Sequence, residues 1–310
     1  MITKRIQNRV AESRTALPFT MGYALIVTVA GGLFGSHQWL QFILLAFTSL
    51  LMMVLNNSNA LIRIYSRMVS CSFIMLAVMS HFTFVNIRCG ILQACFVAFY
   101  ILLFGSYQNK NASGKIFYAF VMYGLASMVF VQVLFFLPLL WILIYTNIMV
   151  GSLRVLVASL LGLAMPYCFL VAYYVYSGDI DALVARLSPD DPFFSFFAWR
   201  ELSVSHIVTI AFVAILSAVG IAHYHMSNYK DKIRTRMLFE IFTFMILAEF
   251  VFVVLFPQHI DYLLALLIVN TSPLIGHYIA LTHTRWTNLS FCLMTVVTLI
   301  ITIFNIWMPF

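Results

Sequence analysis

The sequence predicts an all-α fold, a polytopic transmembrane helical bundle of about 11 spans with its N-terminus inside and its C-terminus outside. Three observations carry this. Of the 310 residues, 63% are hydrophobic and 9% charged, against about 45–50% and about 25% in soluble domains. At a mean hydropathy of +1.01, the chain has more apolar side chain than one water-soluble core can hide. The apolar residues come in runs of bilayer-crossing length, about 17–25 residues. Lysine and arginine fall almost entirely in alternate connections between those runs, the pattern of a cytoplasmic face.

Taken in order, the runs lie near 16–35, 39–55, 68–85, 90–107, 116–131, 133–147, 154–176, 204–222, 237–256, 261–282 and 287–307. The first is a full-length span with no small-residue cleavage motif after it, so no cleavable signal peptide is expected. Residues 1–310 read as a single integral membrane domain, with no soluble domain and no clear internal repeat.

The division of 116–146 needs an argument. "IFYAFVMYGLASMVFVQVLFFLPLLWILIYT" would make one straight helix about 46 Å long at 1.5 Å per residue, against a hydrocarbon core of about 30 Å. Charge parity favours two segments meeting near Gln132. With two crossings, the inside connections hold Lys4, Arg5, Arg9, Arg14, Arg63, Arg67, Lys110, Lys115, Arg154, Lys230, Lys232, Arg234, Arg236 and Arg285. The outside keeps Arg88, Arg186 and Arg200, a split of 14 to 3. A single crossing would put "YKDKIRTR" (229–236) outside. Two spans of about 15 residues are short and call for bilayer thinning, tilt or a re-entrant pair.

The same parity places "SGDIDALVARLSPDDPFFSFFAWRELS" (177–203) outside. This outer acidic loop holds Asp179, Asp181, Asp190, Asp191 and Glu201, half of the ten acidic residues. It reads either as a solvated loop or as a site for a cation or a cationic or sugar-bearing substrate.

No GxGxxG, Walker, HExxH or GxSxG pattern occurs, which removes the signatures of dinucleotide enzymes, P-loop ATPases, zinc proteases and α/β-hydrolases. The catalytic residues are unknown at this stage. The five cysteines lie in or beside apolar runs and form no CxxC, so no metal site or disulfide framework is expected. The 16 Met and 30 Phe fit lipid-facing helices and need no cofactor. The net charge of +7 belongs to topology, and nucleic acid is not an expected partner.

Polar groups inside spans are the informative ones, because each costs several kcal/mol unless paired or hydrated. Glu249 is the carboxylate deep in a span, about two-thirds of the way along span 9. Span 10 carries Asn270, Thr271, Ser272 and Pro273 near its middle and His277 further on. A kink is expected at Pro273. Short-turn antiparallel packing puts Glu249 and Asn270 at similar depth. The group Glu249, Asn270, Thr271, Ser272 and His277 is therefore a candidate intramembrane site of the kind transporters build at the midplane. The plain alternative is a helix-packing hydrogen bond.

A second candidate group lies near the outer ends of spans: His37, His81, Arg88, Asp179, Asp181, His259 and Asp261. His223 and His225 are two apart and face different sides of a helix, a poor metal pair. In "NNSNALIRIYSR" (56–67) the asparagines suit helix-end capping. Arg63 and Arg67 suit headgroup phosphates, with recognition of a lipid-carrier phosphate as the functional alternative.

"VLNNSNALIRIYSRMVSCSFIMLAVMS", "YGLASMVFVQVLFFLPLLWILIY" and "ASLLGLAMPYCFLVAYYVYSGD" together resemble a family of uncharacterised bacterial polytopic membrane proteins. More distantly they resemble the transmembrane core of C-type, polyprenyl-phosphate-sugar-dependent glycosyltransferases, over roughly residues 40–176. The resemblance implies a glycosyltransferase-like helical core over 16–176, followed by the outer loop and a C-terminal four-helix part over 204–310. It also implies a bacterial inner (cytoplasmic) membrane location and an envelope or lipid-linked glycan pathway. Membrane lipids, a polyprenyl-phosphate lipid and a membrane protein are the implied partners. Those enzymes carry a catalytic acid in a large first outer loop. Here that loop is "GSHQ" (35–38), without a carboxylate, so no enzymatic activity is carried over. A lipid-holding scaffold should then open toward the outer leaflet. A transporter or flippase using Glu249 and span 10 should show a polar midplane cavity, and a structural subunit should show neither.

Overall fold

A computed structural model describes residues 5–32, 38–109, 111–178, 197 and 202–307. Each predicted apolar run contains helix within its described residues. A short α1 (Ile6–Glu12) precedes α2 (Ala16–Ala30) and α3 (Trp39–Asn59). There follow α4 (Met68–Met79), α5 (His81–Val85), α6 (Ile87–Phe104) and α7 (Ser113–Val129). The next segment combines a 3-10 turn (Val131–Phe136), α8 (Leu137–Leu143) and a π turn (Ile144–Ile148). The rest is α9 (Leu153–Ser177), α10 (Val204–Ser227), α11 (Ile233–Leu255), α12 (Ile260–Leu281) and α13 (Arg285–Trp307).

Among the described residues eight helices are long and apolar enough to cross a membrane, and α2, α4 and α7 are shorter apolar helices. The chain thus has the build of an integral membrane protein. The reason is the same throughout: in hydrocarbon every backbone N–H and C=O must be satisfied within the segment.

The run 116–146 is not one helix. α7 stops at Phe130, whose φ of −141° and ψ of 95° are extended. The chain then doubles back. Tyr123 donates its hydroxyl to the Val133 carbonyl at 2.6 Å. The Gln108 N–H, before α7, meets the Ile148 carbonyl at 3.0 Å. The turn falls two residues before Gln132.

The expected span 68–85 is interrupted. Ser80 takes φ −85° and ψ 69° between α4 and α5. Its hydroxyl bonds back to the Leu76 and Ala77 carbonyls, and the Thr83 hydroxyl donates to the Ser80 carbonyl. These local bonds compete with the helix ladder. Pro273 does not interrupt α12, which runs from Ile260 to Leu281 with the proline inside it.

The ends of the helices gather in two sets. At one end Arg234 donates to Asn59 Oδ1 at 2.8 Å and to the Phe104 carbonyl at 3.1 Å. There Asn147 also donates to Glu240 Oε2 at 2.7 Å, and Asn8 donates to the Thr282 carbonyl at 3.0 Å. At the other end Gln41 reaches the Val85 carbonyl, Gln132 meets His259 and Asn305 donates to the Met79 carbonyl.

α12 is the axis of the bundle. Residues 263–280 are all buried, and the helix packs against α4, α6, α10 and α11. A helix apolar all round belongs in the middle, and burial is what lets it carry Asn270, Thr271 and Ser272. Gly276 makes the close approach to α4: a Cβ there would stand 2.8 Å from the Val69 nitrogen.

Candidate functional site

Glu249 on α11 and Asn270 on α12 are completely buried. Asn270 Nδ2 donates to Glu249 Oε1 at 2.5 Å. The Tyr100 hydroxyl on α6 donates to Asn270 Oδ1 at 2.7 Å. Glu249 Oε2 has no hydrogen-bond partner among the described residues, and no ion pair to Glu249 occurs among them. The surroundings are aromatic. Tyr100 packs on Phe96, Phe99, Phe104 and Phe242, with ring centroids 5.2–6.1 Å apart.

The remaining intramembrane candidates do not join this group. Successive residues on a helix point about 100° apart, so the polar run on α12 fans out. The Thr271 hydroxyl pairs with Ser217 on α10 at 2.8 Å. The Ser272 hydroxyl bonds within its own helix to the Ile268 carbonyl at 2.5 Å. His277 lies two turns on, where Nε2 meets Asp231 Oδ2 at 3.0 Å. Sequence reasoning missed Tyr100, since nothing marks it among the aromatic residues of "CFVAFYILLF".

Of the outer-end candidates, His37, Asp179 and Asp181 lie outside the described residues. The others do not converge. His81 is buried against Phe84 and Gly31. Arg88 is exposed, in the first turn of α6, where its N–H is capped by Asn86. His259 Nε2 lies 3.1 Å from Gln132 Nε2. Asp261 Oδ1 meets His206 Nε2 at 3.0 Å, and His206 Nδ1 lies 2.5 Å from Ser203 Oγ. The Ser–His–Asp line has a local cause: Ser203 is the N-cap of α10 and accepts the His206 backbone N–H. Its serine sits on Nδ1, the reverse of the hydrolase order, in which the acid holds Nδ1.

Three cavities bounded by described residues carry more information than these pairs. The largest, about 620 Å³, is a groove walled by α2, α4, α12 and α13. Phe19, Tyr23, Met75, Leu76, Phe291 and Met294 supply its apolar surface, and Arg9, Ser13 and Thr15 border it. A small cavity lies between α3, α5 and α6. A polar cavity of about 390 Å³ lies at the end where the basic residues gather. Glu249 lines none of the three.

No family model, no curated protein and no solved structure matches this chain.

Proposed function

We propose that this protein is a membrane-embedded scaffold that holds the apolar chain of a lipid in the groove between α2, α4, α12 and α13. One observation carries the reading: about 620 Å³ of space, lined mainly by apolar side chains and bordered by Arg9, Ser13 and Thr15. Lipid tails suit the apolar wall, and a cation beside hydroxyls suits the headgroup boundary.

The basic end of the bundle is the cytoplasmic end in this proposal, on the rule that lysine and arginine stay inside. Eleven crossings then put the N-terminus inside and the C-terminus outside, in a bacterial inner membrane. The groove accordingly belongs to the inner half, not to the outer half beneath 177–203. Within this reading the resemblance over 40–176 makes a polyprenyl-phosphate of an envelope or lipid-linked glycan pathway the first lipid class to test, and the scaffold is non-catalytic. The transporter reading is less favoured, because Glu249 lines none of the three cavities and its one hydrogen bond runs to Asn270, which Tyr100 ties into a cluster of aromatic rings.

The test is native mass spectrometry of the protein purified in mild detergent, with Met75→Trp and Thr295→Trp filling the groove from opposite walls. The expected result is a retained lipid in the parent chain and sharply lower occupancy in both variants. Unchanged occupancy in two folded variants would remove the reading.

A further inference from the structure

The polar cavity at the basic end differs chemically from the groove. Its walls come from four places: the α3–α4 connection, the α10–α11 turn, the end of α12 and the start of α13. Arg63, His223, Lys230, Asp231, His277 and Thr287 are its informative residues, within about 390 Å³.

The carboxylate in this wall is already engaged. Asp231 is 3% exposed and His277 1%. Asp231 Oδ2 meets His277 Nε2 at 3.0 Å, and Oδ1 stands 3.8 Å from Arg63 Nη1. Arg63 Nη1 also donates to the Lys230 carbonyl at 3.3 Å. These contacts hold the arginine and the histidine ring against the cavity.

What remains is a surplus of positive and donor groups. Arg63 and Lys230 both line the cavity, whose one carboxylate, Asp231, pairs with Arg63 and His277. His283 also lines the cavity, and its Nδ1 faces Asn8 Nδ2 at 2.7 Å. With the Asn8 amide donating, its proton sits on Nε2. His277 Nε2 carries the proton of its contact with Asp231, so its buried Nδ1 is an acceptor, and neither it nor the buried Nδ1 of His223 has a partner among the described residues. The first turn of α13 borders the cavity too. Thr284 and Thr287 line it and cap each other reciprocally, Thr287 N–H to Thr284 Oγ1 at 3.2 Å and Thr284 N–H to Thr287 Oγ1 at 3.1 Å. A helix N-terminus favours an anion.

We propose that this cavity binds a phosphate-bearing anion, with Arg63 and Lys230 supplying charge, His283 Nε2 and the α13 N-terminus supplying orientation, and Asp231 holding Arg63 and His277 in place. An arginine held by Asp231, with Lys230, hydroxyls and an imidazole N–H beside it, matches the tetrahedral oxygens of a phosphate monoester or diphosphate. The site is independent of the lipid-chain groove, and a free phosphate or a lipid headgroup offers the same chemistry.

The experiment uses the full chain in two arms. In detergent, thermal unfolding is followed with inorganic phosphate and with pyrophosphate, against chloride at equal ionic strength, since a ligand of the folded state raises the transition. In nanodiscs, retention of phosphatidic acid is compared with phosphatidylcholine by native mass spectrometry. Both arms are repeated with Arg63→Gln/Lys230→Gln, two exposed positions whose folding is read from the transition in chloride, and with Met75→Trp in the groove. A rise in the transition with phosphate or pyrophosphate, weakened about tenfold in apparent affinity by the double variant, supports the site with a soluble ligand. Selective retention of phosphatidic acid, lost in the double variant, supports it with a headgroup. Met75→Trp should leave either signal in place, which separates this site from the groove. No anion preference in either arm, or a preference the double variant does not reduce, overturns the proposal.

Discussion

Asn270 joins two helices and one ring in a single line: its amide nitrogen donates to Glu249 Oε1 at 2.5 Å, and its carbonyl accepts the Tyr100 hydroxyl at 2.7 Å. The arrangement ties α6, α11 and α12 together through three fully buried side chains. A lost partner there costs more than a lost bond, because the remaining polar group stays buried.

Glu249→Leu should therefore destabilise the protein by about 1–3 kcal/mol, leaving the Asn270 amide without its acceptor. Glu249→Gln keeps an acceptor carbonyl of the same shape and should cost less than about 1 kcal/mol. Unfolding in detergent, read for both variants against the parent, checks the ranking. A glutamine as harmful as the leucine would mean that the acid itself matters, and would bring the transport reading back.

The hairpin at Phe130 has a geometric test. Gln108 and Met149 lie side by side, with Gln108 Nε2 3.5 Å from Met149 Sδ. If residues 113–148 formed one helix, its ends would be about 50 Å apart. Gln108→Cys/Met149→Cys should crosslink with a short bifunctional maleimide in membranes, in a background lacking the native cysteines. Failure to crosslink, with both thiols labelled singly, would argue for one long helix.

The sidedness proposed for the basic end is checked by impermeant thiol labelling in the same cysteine-free background. Ser227→Cys, at the end of α10, should be protected in intact cells and labelled after lysis. Ser188→Cys, in the 177–203 segment, should be labelled in both. The opposite pattern would invert the bundle and move both the groove and the polar cavity to the outer half.

Much of the fold was legible because hydrocarbon thickness dictates span length, and charge parity was enough to divide 116–147. The meeting of Glu249 and Asn270 was legible for the same reason, since a short turn between two helices equalises depth. Other features depend on tertiary partners. The break at Ser80 rests on its bonds to Leu76 and Ala77 and on the Thr83 hydroxyl, and serine is unremarkable in a span. Sequence proximity grouped His277 with Asn270, yet it is held by Asp231 from another connection. Asp231 itself sits in a basic run that reads as a topology signal, and only folding brings it under Arg63.

The closest test of the central helix is steric. At Gly276 an added Cβ would stand 2.8 Å from the Val69 nitrogen and 3.0 Å from its Cα. Backbone cannot swing aside as a flexible side chain can, so α4 and α12 would have to separate. Small residues at such crossings let helices in a bilayer approach closely. Gly276→Ala should cost about 1–3 kcal/mol, the range for overpacking a well-filled interior. Gly22, inside α2, is the control: nothing lies within 4 Å of a Cβ there. Gly22→Ala should leave stability unchanged or raise it by about 0.5–1 kcal/mol through helix propensity. Thermal or denaturant unfolding of the two variants in the same detergent makes the comparison. If Gly276→Ala were as harmless as Gly22→Ala, the α4–α12 crossing would be looser than the structure has it, and the polar cavity and the groove, both of which use α12 as a wall, would lose their common frame.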